Sequence, residues 1–286
     1  MYTFGVIGPG AVGSVIGESL QNGGYQVTLI GREAGSVCVE RAGTTEFAAL
    51  SVEAISEVKT AFDYLFIAVK GTQLEGIMPY LDKLTHANTV CILCQNGYGQ
   101  LEEFQIPGAF QAVVYISGQK KADVITHFRD RILILPENNV TKKLKEVITE
   151  SNLDLQLRSN YRDEVWYKLI VNLAINSVTA LSRNTALILQ EEKVRKLCEN
   201  LIQEGMTIAA AEGIHFQEKM VEEIMHIYAG YPLYMGTSMY YDMIEGKTME
   251  IAYIQGYLYE KSKEHHLDTP CLDTVYSLLL ASEMRA

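Results

Sequence analysis

The chain has 286 residues, 48% of them hydrophobic, which is enough for one large domain or two ordinary ones with packed cores. Its 24 Lys and Arg against 35 Asp and Glu give a net charge of −11, and no basic run offers a row of phosphate contacts, so no nucleic-acid partner is expected. The longest apolar run, Tyr64 to Val69, is too short for a bilayer and no basic segment precedes an apolar stretch at the start. No membrane association is therefore expected, and the chain reads as cytoplasmic.

In chain order, the first half alternates short β-rich runs with helical stretches. The predicted strands are Tyr2 to Ile7, Gln26 to Ile30, Tyr64 to Val69, Thr89 to Leu93, Ala112 to Ile116 and Ile132 to Leu135. That alternation predicts an α/β domain over residues 1–160, with a doubly wound, mostly parallel sheet. Past about Asn160 the β signal ends. Helical periodicity runs through Tyr161 to Leu181, Glu191 to Gly213, Gln217 to Ala229, Thr248 to His265 and Leu272 to Glu283, predicting an all-helical domain over residues 161–286.

The first strand leads into Gly8-Pro9-Gly10-Ala11-Val12-Gly13 and then into a segment that can continue as a helix. A lone G-x-G-x-x-G is a weak signal, but one between a strand and a helix is the Rossmann-type loop. Its first glycine makes a tight turn, its second lets the backbone approach a diphosphate, and its third lets helix and strand pack closely. The second strand ends in Gly31-Arg32 rather than in an acid. A guanidinium there suits a ribose 2′-phosphate, which favours NADPH over NADH, although Arg32 could instead pair with the adjacent Glu33. Two further strands end in polar residues where such a sheet opens onto its ligand: Lys70 with Gln73, and Asn96 with Gly97.

On the first long helix, Lys168, Asn172 and Asn176 are four residues apart, within an arc of about 80° and over about 12 Å of axis. The rest of that helix is apolar almost all round, so the polar line needs partners. It is either a hydrogen-bonded seam or the wall of a site, where asparagine would both donate and accept and lysine would give a proton to a carbonyl oxygen.

Other segments carry less. The five cysteines, Cys38, Cys91, Cys94, Cys198 and Cys271, are scattered and read as free thiols; the Cys91 and Cys94 pair lies on a strand-like run whose residues three apart face opposite ways. His127 and the pair His265-His266 lack neighbours at ligand spacing, and no metal is expected. Tyr228, Tyr231, Tyr234, Tyr240 and Tyr241 crowd a stretch with Gly230, Pro232 and Gly236. That stretch reads as core, as a lid or as a dimer surface; an interface or cleft edge is the reading taken, with a homodimer through the helical domain.

These segments, in the order Gly8 to Gly13, Gly31-Arg32, Val69-Lys70 with Gln73, Gln95-Asn96-Gly97, Lys168-Leu169 with Asn172 and Asn176, Thr179-Ala180-Leu181, Ser238-Met239 with Asp242, and Glu250-Ile251, resemble the ketopantoate reductases (2-dehydropantoate 2-reductases) over essentially the whole chain. The resemblance implies NADPH-dependent reduction of the small 2-keto acid 2-dehydropantoate to (R)-pantoate, towards pantothenate and coenzyme A. It implies that Lys168 protonates the carbonyl oxygen, that Glu250 binds the substrate hydroxyl and supports catalysis, and that Asn172, Asn176 and Ser238 bind substrate, Ser238 at its carboxylate. Arg32, Lys70, Gln73, Asn96 and Gly118 fall on the NADPH side, and Asn96 is expected to reach the substrate as well. The chain departs from the family pattern at Ala252, at Gln255-Gly256 and across Ser182-Arg183-Asn184-Thr185-Ala186. These changes bear on the edge of the substrate pocket and leave a related 2-keto acid open.

Overall fold

The structure is a computed structural model that describes residues 2–284. The chain divides into two compact units. One comprises the described residues up to Gln95 together with Gln100–Tyr161; the other comprises Asn96–Gly99 and the described residues from Arg162 onward.

The first unit runs β1 (Phe4–Ile7), α1 (Ala11–Asn22), β2 (Val27–Gly31), β3 (Gly35–Arg41), β4 (Phe47–Ala54), β5 (Tyr64–Ile67), α2 (Leu74–Leu84), β6 (Val90–Leu93), α3 (Gln100–Phe104), β7 (Ala109–Gln111), β8 (Val113–Lys121), β9 (Val124–Pro136), α4 (Asn139–Val147) and β10 (Asp154–Arg158). The strands form one sheet in the order β10-β9-β3-β4-β2-β1-β5-β6-β7, with β8 paired to β9. From β4 through β2, β1, β5 and β6 to β7 all pairs are parallel. β1 lies between β2 and β5, so the chain winds outward in both directions from it, and that reversal opens a crevice at the strands' C-terminal ends.

Both sheet faces are covered, which is why β1, β5 and β6 are near-continuous apolar runs. Phe4, Val6, Phe66 and Ile92 share one core cluster with Val15, Ile16 and Leu20 of α1 and Leu144 of α4. Ile7, Leu65, Ile67 and Leu93 share another with Leu74, Ile77 and Leu81 of α2. The predicted α/β fold with a doubly wound sheet is the fold observed. β8 and β9 form a long antiparallel hairpin with a bulge between Tyr115 and Gly118, and Val114, Ile125, Leu133 and Leu135 join the α1 cluster. The predicted strands from Ala112 and from Ile132 are parts of this hairpin. β3, β4, β7 and β10 have no counterpart among the predicted strands. β3 and β4 alternate buried with exposed or half-buried residues and β10 has a single buried residue, Leu155, both weaker signals than a continuous apolar run.

The two cysteines of the C-x-x-C lie in different core clusters, Cys91 with α2 and Cys94 with α1. Burial pushes the Cys91 thiol up to about 11, Cys94 higher still, and Cys198 up to about 12, so little thiolate forms at neutral pH. In the native protein a thiol reagent is expected to modify the half-buried Cys38 and Cys271 first, the other three reacting only on unfolding. Five equally fast thiols by mass spectrometry would contradict this burial.

The second unit is helical: α5 (Tyr161–Ser182), α6 (Glu192–Ala211), α7 (Met220–Ala229), α8 (Ser238–Glu245), α9 (Tyr257–Glu264) and α10 (Pro270–Glu283), with a 3₁₀ turn over Ala186–Gln190 and a π-turn over Ala252–Gly256 that feeds α9. The predicted helix from Thr248 therefore starts only at Ala252. α8 lies in the aromatic, glycine-rich stretch where no helix was predicted; Thr237 caps it by accepting from the Tyr240 N–H at 3.2 Å, and Gly246 ends it in the left-handed region at φ +69°. Tyr228 is core, its hydroxyl donating to the Val171 carbonyl at 2.5 Å, whereas Tyr234 is 83% exposed. The tyrosine cluster is thus not one surface. Among the described residues no helix is long and apolar enough to cross a membrane.

Candidate active site

In the first unit, the C-terminal end of β1 is held from both sides: the Gly8 N–H donates to the Ile30 carbonyl at 2.9 Å, and the Ala68 N–H donates to the Ile7 carbonyl at 2.7 Å. Gly8 sits at φ +104°, and a Cβ there would lie 2.7 Å from backbone atoms of Ala68 and Val69. A Cβ on Gly13 would lie 2.1 Å from the Gly8 carbonyl oxygen. A Cβ on Gly10 would meet nothing within 4 Å. The outer glycines are therefore required by the protein's own packing, and the middle one leaves its backbone open to approach.

Gly10 also precedes α1, whose N-terminus has no side-chain cap and no acid in its first turn. The partial positive charge of that helix end, with Gly10 bare beside it, suits an anionic diphosphate. Arg32 is exposed just beyond β2, and Glu33 is exposed beside it. After β5, the Lys70 N–H donates to the Gln73 side-chain oxygen at 3.3 Å, closing a 3₁₀ turn over Gly71–Gln73 that leads into α2. Gln95 is buried at the end of β6 and donates to the carbonyls of Ile67 and Val69 at 2.7 and 2.9 Å, tying the ends of β5 and β6 together. Gly118 on β8 faces α1, a Cβ there lying 3.4 Å from that of Ala11. On the same strand Lys120, which the sequence did not single out, donates from its ammonium to the Pro9 carbonyl at 2.8 Å. Its signal was the two-residue offset from Gly118.

The second unit carries another set, of which Asn96 and Glu250 meet directly. Asn96 donates from its side-chain amide to the Glu250 carboxylate at 3.4 Å, and Glu250 is only 7% exposed. The segment holding Asn96 is fixed by the Tyr98 N–H donating to the Tyr253 carbonyl at 2.8 Å, and by an edge-to-face contact of Tyr98 with Tyr257. Gly97 is needed there: it has φ +85°, and a Cβ would fall 2.3 Å from the Tyr253 oxygen. On α5, Asn172 and Asn176 are buried and Lys168 is half-buried, one above another along the helix. Ser238 is exposed at the first turn of α8, beside Thr237, whose hydroxyl bonds that of Thr179 at 2.8 Å.

Gln255, read from the sequence only as a departure from a family pattern, is fully buried in the π-turn. Its amide donates to the Ser177 hydroxyl at 3.0 Å and approaches the Met239 sulfur at 3.7 Å. It thereby ties together α5 next to Asn176, α8 next to Ser238, and the turn that follows Glu250. A buried carboxylate just before the π-turn, the Asn96 amide, and an ammonium and two amides on α5 are groups that can orient a small polar molecule and exchange a proton with it.

Two family models match the chain: Ketopantoate reductase PanE/ApbA over residues 4–137, and its C-terminal counterpart over residues 160–283. A solved dimeric ketopantoate reductase from Staphylococcus aureus is 45% identical with a TM-score of 0.95, covering 98% of this chain and 98% of that one. A 2-dehydropantoate 2-reductase of Mycobacterium tuberculosis is 26% identical over 285 residues, covering 97% of this chain and 96% of that protein. The fold is also that of a D-mandelate dehydrogenase solved with NADH and anilino(oxo)acetate, at 23% identity and a TM-score of 0.88 over 98% of both chains. A doubly wound sheet with a glycine loop, joined to a helical unit of this make, defines the class: the protein is an oxidoreductase. Within that class the chain belongs to the ketopantoate reductase family.

Proposed function

We propose that the protein reduces 2-dehydropantoate to (R)-pantoate with NADPH, in the cytoplasm, as a step towards pantothenate and coenzyme A. The observation that carries this reading is the buried Glu250 carboxylate held by Asn96, in the unit whose α5 bears Lys168, Asn172 and Asn176. The glycine loop fits the cofactor: Gly8 and Gly13 admit no side chain, Gly10 leaves room, and the uncapped start of α1 offers N–H groups. Pro9, Ala11 and Val12 complete that loop, and Lys70, Gln73 and Gly118 belong to the same side. When bound, the nicotinamide supplies a hydride to the carbonyl carbon.

The chain's own residues do the rest. Lys168 gives a proton to the carbonyl oxygen as negative charge develops there. Glu250, kept in place by Asn96, accepts from the substrate hydroxyl. Asn172 and Asn176 fix the keto acid by donating and accepting, and Ser238 donates to its carboxylate. The test is NADPH oxidation with 2-dehydropantoate beside a panel of other 2-keto acids, compared by kcat/KM. A higher value for another acid would reject the substrate and favour a second reading, a reductase of a related branched 2-keto acid, which the departures from the family pattern at Ala252 and Gln255 support.

Arg32 is proposed to hold the 2′-phosphate. Arg32→Ala is expected to weaken NADPH at least about tenfold, by loss of a charge-assisted pair, while leaving NADH within about twofold. An unchanged NADPH/NADH ratio would place the 2′-phosphate elsewhere. A homodimer is proposed from the 45% identity to the dimeric Staphylococcus aureus protein and from exposed Leu233 and Tyr234 in the helical unit. A monomer by sedimentation would dismiss it.

A further inference from the structure

We infer that Lys120 is a cofactor-binding residue, placing its ammonium against the diphosphate of the dinucleotide; this rests on the reading that the first unit binds a nicotinamide dinucleotide. Gly118 and Lys120 are two apart on β8 and so share one face of the strand. Gly118 shows what that face meets, since a Cβ there would lie 3.4 Å from the Ala11 Cβ at the start of α1. Lys120 continues on the same side and donates to the Pro9 carbonyl at 2.8 Å. Pro9 and Ala11 flank Gly10, the one glycine of the loop whose missing side chain leaves open space.

An ammonium has three donors, and the Pro9 carbonyl takes one of them. The charge thus stands one peptide from the position where the backbone is bare and the helix end is uncapped. In a protein of net charge −11 an anionic ligand needs positive charge close at hand, and the first turn of α1 supplies only its dipole. Lys120 differs from Arg32 in what it reads. Arg32 follows β2, the strand end that meets the adenosine ribose, whereas Lys120 meets the loop that meets the diphosphate. The diphosphate is common to NADH and NADPH.

The experiment uses the full chain with Lys120→Met, which keeps the stem, and Lys120→Arg, which keeps the charge. Dissociation constants for NADPH and NADH are read from nicotinamide fluorescence at low and high salt, with the melting temperature of each variant. Lys120→Met is expected to weaken both cofactors by the same factor, about tenfold, and to make binding less salt-dependent; Lys120→Arg is expected to stay within about threefold of wild type. Unchanged affinity in a folded Lys120→Met protein overturns the assignment. A loss confined to NADPH overturns it in favour of the 2′-phosphate, and a loss with undiminished salt dependence overturns it in favour of a brace on Pro9. If Lys120→Met does not fold, lysine acetylation of wild type decides: NADH protects Lys120, and equal labelling with and without NADH overturns the proposal. Wild type that binds neither dinucleotide would defeat the broader reading as well, which separates the two failures.

Discussion

Lys168→Ala is expected to lower kcat by about a thousandfold, the scale of a lost general acid, while the NADPH dissociation constant moves by less than about threefold. The reason is where α5 puts the residue. The helix is 22 residues long, and Trp166, Leu169, Ile170, Leu173 and Ala174 around Lys168 are core residues, so the backbone under the lysine has little freedom. Removing the side chain is expected to leave that helix intact and to take away only the group proposed to meet the developing oxyanion. Lys168 belongs to the second unit and the glycine loop to the first, and it is the loop that is proposed to hold the cofactor, so cofactor affinity is expected to survive. Parallel losses in turnover and NADPH binding would remove the proton-donor role, and a nearly active variant would assign the proton to another group.

The second large effect belongs to the glycine loop, where two neighbouring substitutions are expected to behave differently. Gly13→Ala puts a methyl group 2.1 Å from the Gly8 carbonyl oxygen, a backbone atom that cannot turn aside. The start of α1 must then pull away from β1. Both melting temperature and cofactor affinity fall, the latter by about a hundredfold, or about 2.7 kcal/mol. Gly10→Ala meets no protein atom within 4 Å, so the fold is expected to be untouched. Its methyl group would instead enter the space proposed for the diphosphate, and NADPH binding is expected to drop without a change in melting temperature. Calorimetric binding and thermal unfolding of both variants check the contrast. Wild-type affinity in Gly10→Ala would mean that the ligand does not approach the loop there.

Legibility in the sequence followed the strength of the local signal. β1, β5 and β6 were readable because strands buried on both faces are continuous apolar runs. β3 and β4 were not, because a half-covered hairpin spreads its apolar residues at every second position, as Val37, Val39, Leu50 and Val52 do. α8 was hidden by its aromatic and glycine-rich surroundings, although Thr237 before it and Gly246 after it are ordinary helix boundary signals.

The candidate site was legible where a motif or a helical spacing names residues by itself, as for Gly8 to Gly13 and for Lys168, Asn172 and Asn176. It was illegible where the contact spans many residues of chain. Asn96 and Glu250 are 154 positions apart, and no periodicity joins them. Lys120 and Pro9 are 111 apart, and their pairing follows from the β8–β9 hairpin lying against α1.

Gln255 also bears on how such a pocket can change over time. One buried amide engages α5 and α8 from the turn behind Glu250, so the three elements that carry the proposed substrate contacts share a fastening. A substitution that reshapes the turn is felt by the neighbours of Asn176 and Ser238 together, and residues sharing partners do not respond additively. Substitutions at Gln255, Asn176 and Ser238 are therefore expected to act together on substrate preference, their combined effect differing from the sum of the single ones.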